Sequence, residues 1–216
     1  MGNQSLVSNE TRDRLRGVAR PIALGLGRLG LTPNALTVIG FLGTCVAAVA
    51  AASQWWLAAG VLVIVFGIFD MFDGALARAT GRTSPFGAFL DSTLDRTGER
   101  LVLAGVAYGA AAAGQPVIAG LAAAAIALAS VVTYARAKAE VIGIRGDVGI
   151  APRPERLVIL AIGLGLAALP WSAAADAGRG STWLAAALAL ITVLSGITVV
   201  QRILFVRRQL DRQQTT

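Results

Sequence analysis

Residues 70–96 read DMFDGALARATGRTSPFGAFLDSTLDR, and they join two apolar segments where charge is out of place. Asp70 and Asp73 are three residues apart, so on a helix they share a face. Asp91 and Asp95 are four apart and share a face of the following helix. Between the pairs, Gly81 to Pro85 is a turn that reverses the chain. The stretch therefore predicts an antiparallel helical hairpin whose two carboxylate pairs face each other at one end.

Working outward, the composition says what surrounds this hairpin. The 216 residues are 56% hydrophobic and only 14% charged, with mean hydropathy +0.69, whereas a soluble domain carries about 25% charge. Six apolar segments approach spanning length: Leu36–Ala52, Trp56–Phe72, Phe86–Ala113, Val117–Ala137, Leu157–Leu169 and Trp183–Val200. The fifth is short unless it extends backwards across Pro154. The breaks carry hinge and interface signals: Ser53-Gln54-Trp55-Trp56, the Gly114-Gln115-Pro116 turn, and a small-residue loop from Pro170 to Thr182 between Trp171 and Trp183. Before the first segment, Leu15, Val18, Ile22, Leu26 and Leu29 recur at helical spacing among arginines, which predicts an amphipathic helix on the membrane surface. Gly30 to Asn34 breaks it, and Thr32 or Asn34 caps the next helix.

The expected fold is all-α: an integral membrane bundle of six transmembrane helices with an N-terminal interfacial amphipathic helix. The expected division is residues 1–32 for the N-terminus and interfacial helix, 33–203 for the membrane domain and 204–216 for a tail. The polar stretch Gly2 to Glu10 does not read as a signal peptide.

With both termini on one side, that side collects nearly every basic residue, from Arg12 to Arg212, and the other keeps only Arg179. The positive-inside rule makes the crowded side cytoplasmic in a multi-pass plasma-membrane protein. The net charge of +7 follows from this topology, with no need of nucleic acid.

There is no histidine, which removes histidine triads, histidine metal sites and histidine bases. Cys45 is the one cysteine, so no internal disulfide forms. Acid–base or metal chemistry falls to the carboxylates. An Asp near mid-membrane costs about 2.5–3.5 kcal/mol on insertion scales. Four near the interface cost less each but repel one another, and this calls for compensating positive charge. Hard divalent cations take oxygen ligands, and Mg²⁺ combines a few carboxylates with substrate phosphate. Two metals about 3.5–4 Å apart would suit attack on a phosphoryl group. A plainer account has the Asp residues capping helices or pairing with Arg78, Arg96 and Arg100. That account suits one Asp better than four at paired helical spacing. Gly74 and Gly87 each cost about 1 kcal/mol in a helix, and they let a ligand or a neighbouring helix approach the backbone.

The spacing Asp70-x2-Asp73-Gly74-x2-Ala77-Arg78-x8-Gly87-x3-Asp91-x3-Asp95 resembles the full signature of the CDP-alcohol phosphotransferase family. The resemblance implies transfer of a phosphatidyl-type group from a CDP-linked lipid to an alcohol, with release of CMP, and a homodimer. It implies that Asp70, Asp73, Asp91 and Asp95 bind metal, Mg²⁺ or alternatively Mn²⁺, and that Asp95 is the general base. It places Gly74, Ala77 and Arg78 against the CDP moiety, Ser84 at its phosphates, and Pro33, Asn34, Ala35 and Leu36 beside the CDP-lipid.

The acceptor depends on cations at the same membrane face: Arg136, Lys138, Arg153, Arg156 and Arg202. A pocket of several cations suits an anionic acceptor such as a polyol phosphate, although topology alone accounts for many of them. Within the family, the Asp-Ser-Thr-Leu-Asp-Arg context, the Tyr-Ala-Arg-Ala-Lys run and the Arg-Pro-Glu-Arg segment are similar to those of actinobacterial phosphatidylinositol phosphate synthases, which join an inositol phosphate to CDP-diacylglycerol. Pro152 departs from the acidic or polar residue expected there. Glycerol 3-phosphate, free inositol or an archaeal-type CDP-lipid are the alternatives within the family. A divalent-metal transporter is the alternative outside it. A transporter predicts acidic residues spread through the membrane depth, yet Leu57 to Phe69 carries no charge.

Overall fold

The computed structural model of the chain describes residues 21–146, 148–169 and 179–214. These residues form seven helices and no strand: α1 (residues 21–28), α2 (Pro33–Ala52), α3 (Trp56–Thr80), α4 (Pro85–Ala112), α5 (Pro116–Val141), α6 (Arg153–Ala167) and α7 (Arg179–Gln214). Arg12 to Arg20, including Leu15 and Val18, and Pro170 to Gly178, including Trp171, lie outside the described residues.

Local chemistry sets the boundaries. The Thr32 hydroxyl accepts from the Ala35 N–H at 3.2 Å and caps α2. Gly81, at φ +66°, ends α3 in the left-handed conformation that a side chain disfavours. Ser84 then caps α4 by accepting from the Gly87 N–H at 3.0 Å, with Pro85 in the first turn. These two caps make the reversal predicted between the carboxylate pairs. Arg153 and Pro154 open α6, so that helix does extend backwards across Pro154, which the first turn tolerates.

Six helices close into a ring of packed neighbours: α2 on α4, α4 on α5, α5 on α7, α7 on α6, α6 on α3 and α3 back on α2. The core inside it is small and apolar, including Ala47, Ala51, Val102, Val106, Ala122, Leu160 and Leu188. Small residues let α2 and α4 touch. A Cβ on Gly105 would lie 2.2 Å from the Ala48 carbonyl oxygen, and one on Gly109 would lie 2.4 Å from that of Ala51. Such close backbone contact is how helices pack where lipid removes the hydrophobic drive. A second cluster of Ala23, Leu36, Ala75 and Leu76, with Leu26 against it, docks α1 on the ends of α2 and α3.

Four of the helices are long and apolar enough to cross a membrane: α2, α3, α5, and α7 over Thr182–Gln213. Helix α4 is long enough at 28 residues, but Asp91, Asp95, Arg96, Glu99 and Arg100 charge its first half. Helix α6 has 15 residues and reaches about 22 Å at 1.5 Å per residue, short of a hydrocarbon core of about 30 Å. The chain is a multi-pass membrane protein with an all-helical fold.

Candidate functional site

The α3–turn–α4 hairpin delivers the carboxylates to one place. Asp70, Asp91 and Asp95 each offer a carboxylate oxygen, and these atoms lie within 4.8 Å of one another. Asp73 stands beside this trio rather than in it. It is 6% exposed. Its Oδ2 accepts from the Thr37 hydroxyl at 2.6 Å, and its Oδ1 accepts from the N–H of Gly74. Thr37 comes from α2, so a third helix fixes this carboxylate.

Two clefts meet at the carboxylates. One, of about 210 Å³, is lined by Pro33, Asn34, Thr37, Asp73, Gly74, Ala77, Arg78, Arg82, Ser84, Gly87 and Asp91. The other is narrow and lined by Thr37, Asp70, Asp95, Glu99 and Arg153. Of the residues expected beside the CDP-lipid, Pro33, Asn34, Gly74, Ala77, Arg78 and Ser84 line the first cleft. Ala35 does not line it. Leu36 does not either, because it is buried at 1% exposure among Ala23, Ala75 and Leu76. The two glycines have local reasons. A Cβ on Gly87 would meet Asn34 Oδ1 and Ser84 Oγ, each at 3.1 Å, and one on Gly74 would meet Arg78 Nη1 at 3.2 Å. Arg82 adds a second cation to the cleft that the motif spacing did not mark.

The cations expected at an acceptor pocket take different partners. Arg153 enters the narrow cleft, where its Nη1 donates to Asp70 Oδ2 at 3.2 Å and to Asp95 Oδ2. Arg156 is buried in a two-point pair with Glu99 and also donates to the Ala151 carbonyl at 2.9 Å. Arg202 donates to the carbonyls of Val148, at 2.9 Å, and Val132. Arg136 pairs with Glu140 at 2.9 Å on the surface. The Lys138 ammonium lies 5.7 Å from the Tyr134 ring centroid. Lys138 and Arg202 share a separate groove of about 550 Å³ with Ile142, Val206 and Arg207.

Three contacts brace the chain leading into Arg153. Arg202 holds the Val148 carbonyl. The Thr198 hydroxyl accepts from the Ala151 N–H at 3.3 Å, and Arg156 holds the Ala151 carbonyl. The segment between α5 and α6 is thereby fastened to α7 and α4. Thr37 and Glu99 were missed as site residues. Glu99 had a signal, since it continues the Asp91–Asp95 stripe at the same four-residue interval.

The donor set fits a hard divalent cation, being carboxylate oxygen throughout. Arg153 Nη1 already marks a cation position between Asp70 and Asp95. A divalent cation held by these oxygens would offset the charge of a diphosphate lying in one cleft, and a carboxylate at the meeting point can accept a proton from a group in the other.

A family model described as CDP-alcohol phosphatidyltransferase matches residues 30–204. The phosphatidylinositol phosphate synthase of Cutibacterium acnes is 39% identical over 197 residues, covering 88% of this chain and 93% of its own length. The crystal structure of the Mycobacterium tuberculosis phosphatidylinositol phosphate synthase with CDP-DAG bound superimposes with a TM-score of 0.79 at 34% identity, covering 88% of this chain and 93% of that one. The structure of the same enzyme in complex with manganese and citrate gives a TM-score of 0.79 at 34% identity, covering 87% of this chain and 88% of that one.

Proposed function

We propose a reaction for this chain from one premise: it belongs to the CDP-alcohol phosphatidyltransferase family. The chain transfers the phosphatidyl group of CDP-diacylglycerol to a hydroxyl of an inositol phosphate and releases CMP, a step of phospholipid biosynthesis. The observation that carries this is the position of Asp70, Asp91 and Asp95 where two clefts meet, one of them holding Asn34, Gly74, Arg78 and Ser84.

In this reading the larger cleft takes the CDP end of the lipid. Arg78 and Arg82 balance the diphosphate charge, while Gly74 and Gly87 keep the wall low. Asp70, Asp91 and Asp95 would hold the divalent cation, Mg²⁺ or Mn²⁺, and Asp73, oriented by Thr37, would complete the set from beside them. When bound, the cation polarises the phosphoryl oxygens and neutralises charge on the departing CMP. Asp95 takes the proton of the acceptor hydroxyl. The acceptor oxygen forms the new bond to the phosphatidyl phosphorus, and the phosphoanhydride bond to CMP breaks. Arg153 is the cation placed to meet the acceptor phosphate. Arg156 and Arg202 shape the pocket through the contacts they already make, and Arg136 and Lys138 add to its positive charge.

The membrane setting follows the same reading. Six helices, α2 to α7, build the membrane domain over residues 33–203, with the charged first half of α4 turned to its neighbours and the shorter α6 packed between α3 and α7. Helix α1 lies at the interface, and the outward-facing Ile22, with Leu29 just after the helix end, supports this. The basic residues support a cytoplasmic site and termini. The protein works as a homodimer in the plasma membrane.

CMP release by purified protein with CDP-diacylglycerol and Mg²⁺, with acceptors offered one at a time, tests the proposal. Release is expected with an inositol phosphate. Turnover with glycerol 3-phosphate or free inositol alone would refute the acceptor assignment. No release with any alcohol, together with metal uptake into vesicles, would favour transport.

A further inference from the structure

Arg153 occupies the place where a cation is expected. Its Nη1 donates to Asp70 Oδ2 at 3.2 Å and to Asp95 Oδ2, so one nitrogen bridges carboxylates from α3 and α4. Its Nε is buried without a hydrogen-bond partner. The guanidinium is therefore only partly satisfied where it lies. Its backbone is held firmly, because it opens α6 directly after the segment that Arg156, Thr198 and Arg202 fasten down.

A guanidinium and a divalent cation cannot share this gap. Magnesium–oxygen distances are about 2.0–2.1 Å, so an ion taking the same oxygens, Asp70 Oδ2 and Asp95 Oδ2, would crowd Nη1 with like charge. Without the guanidinium, the three carboxylates would repel one another in a poorly solvated cleft. The long Arg side chain can swing while its backbone stays fixed.

We propose that Arg153 is the resident counter-ion of the carboxylate cluster: it neutralises Asp70 and Asp95 before the divalent cation loads, and loading displaces it toward the anionic acceptor. This rests on the metal reading above and adds an order to it, cation first and acceptor second.

The test is Mn²⁺ binding to the full chain in detergent micelles, followed by electron paramagnetic resonance of the free ion, for the wild type and Arg153→Gln. The variant removes the competitor, so its affinity should rise about tenfold. Thermal unfolding supplies a second readout. Arg153→Gln should melt below the wild type in EDTA, and saturating Mn²⁺ should close the gap. A residue that merely held the site together would give equal or weaker Mn²⁺ affinity in the variant and a gap that Mn²⁺ leaves open, and either result overturns the proposal. Absence of Mn²⁺ binding by the wild type would overturn the metal reading, and this inference with it. If Arg153→Gln does not fold, Arg153→Lys replaces it. A single ammonium on a shorter stem bridges two carboxylates less well, and unchanged or weaker Mn²⁺ affinity there overturns the proposal equally.

Discussion

Arg156 and Glu99 form a two-point ion pair, with Nε 2.7 Å from Oε1 and Nη2 3.0 Å from Oε2. Both side chains are almost fully buried. Glu99 stands one turn beyond Asp95 on α4, and Arg156 stands one turn beyond Arg153 on α6. The pair therefore sets the separation of the two helices that carry Asp95 and Arg153. Removing one partner strands a buried charge, at a cost of about 3 kcal/mol or more. Glu99→Ala should lower the unfolding midpoint by that measure. The double substitution Glu99→Leu, Arg156→Met should lose less than the sum of the single changes. Strictly additive losses in a double-mutant cycle would show that the pair is not coupled.

Thr37 supports Asp73 from outside the acidic motif, through a 2.6 Å hydrogen bond from α2. Groups that orient a metal-binding carboxylate typically alter metal affinity by about 10–100-fold when lost. Thr37→Val keeps the shape and removes the donor. The Mg²⁺ concentration needed for half-maximal CMP release should rise about tenfold, and Thr37→Ser should restore most of it. An unchanged Mg²⁺ requirement in the valine variant would mean that Asp73 is oriented without Thr37.

The carboxylates were legible because helical spacing is local. Asp70 with Asp73, and Asp91 with Asp95, need only a periodicity and a turn to reach one place. The same holds for the turn from Gly81 to Pro85 and for the cap at Thr32, whereas Ser84 was read for phosphate contact and its capping of α4 emerged only from the structure. The cations were not legible in this way. Whether Arg153 meets Asp95, 58 residues away, or Arg156 meets Glu99, 57 residues away, depends on which helices become neighbours. No local pattern records that. Five cations near one membrane face read as a pocket, yet packing gave most of them separate partners. Helix α6 was hard to delimit because its first turn contains a proline that elsewhere would end a helix.

The seam between α2 and α4 gives a prediction about packing rather than chemistry. A Cβ on Gly105 would lie 2.2 Å from the Ala48 carbonyl oxygen, which is rigid backbone and cannot step aside. Gly105→Ala should force the helices apart and destabilise the fold by about 3 kcal/mol. Gly120, on α5, meets nothing within 4 Å. Gly120→Ala should be tolerated and gain about 1 kcal/mol from helix propensity. Comparing unfolding midpoints of the two variants in one detergent checks both signs. Equal midpoints would contradict the close approach at Gly105.

Asp95 is the carboxylate whose proposed role can be separated from those of its neighbours. It lines the narrow cleft with Arg153 and Glu99, while the cleft assigned to the CDP-lipid is walled by Asp73 and Asp91. Asp95→Asn keeps the size and one acceptor oxygen but removes the base. Turnover should fall by about 10³-fold, within the range for losing a positioned proton acceptor. Binding of CDP-diacylglycerol, measured by its effect on the unfolding midpoint, should stay within about threefold of wild type, because the remaining carboxylates and Arg78 are intact. Mn²⁺ affinity should fall as well, since Asp95 is also one of the clustered oxygens. Activity measured at saturating metal separates that loss from the loss of the base. Wild-type turnover at saturating metal would remove Asp95 from the proton-transfer role and leave it as a ligand only.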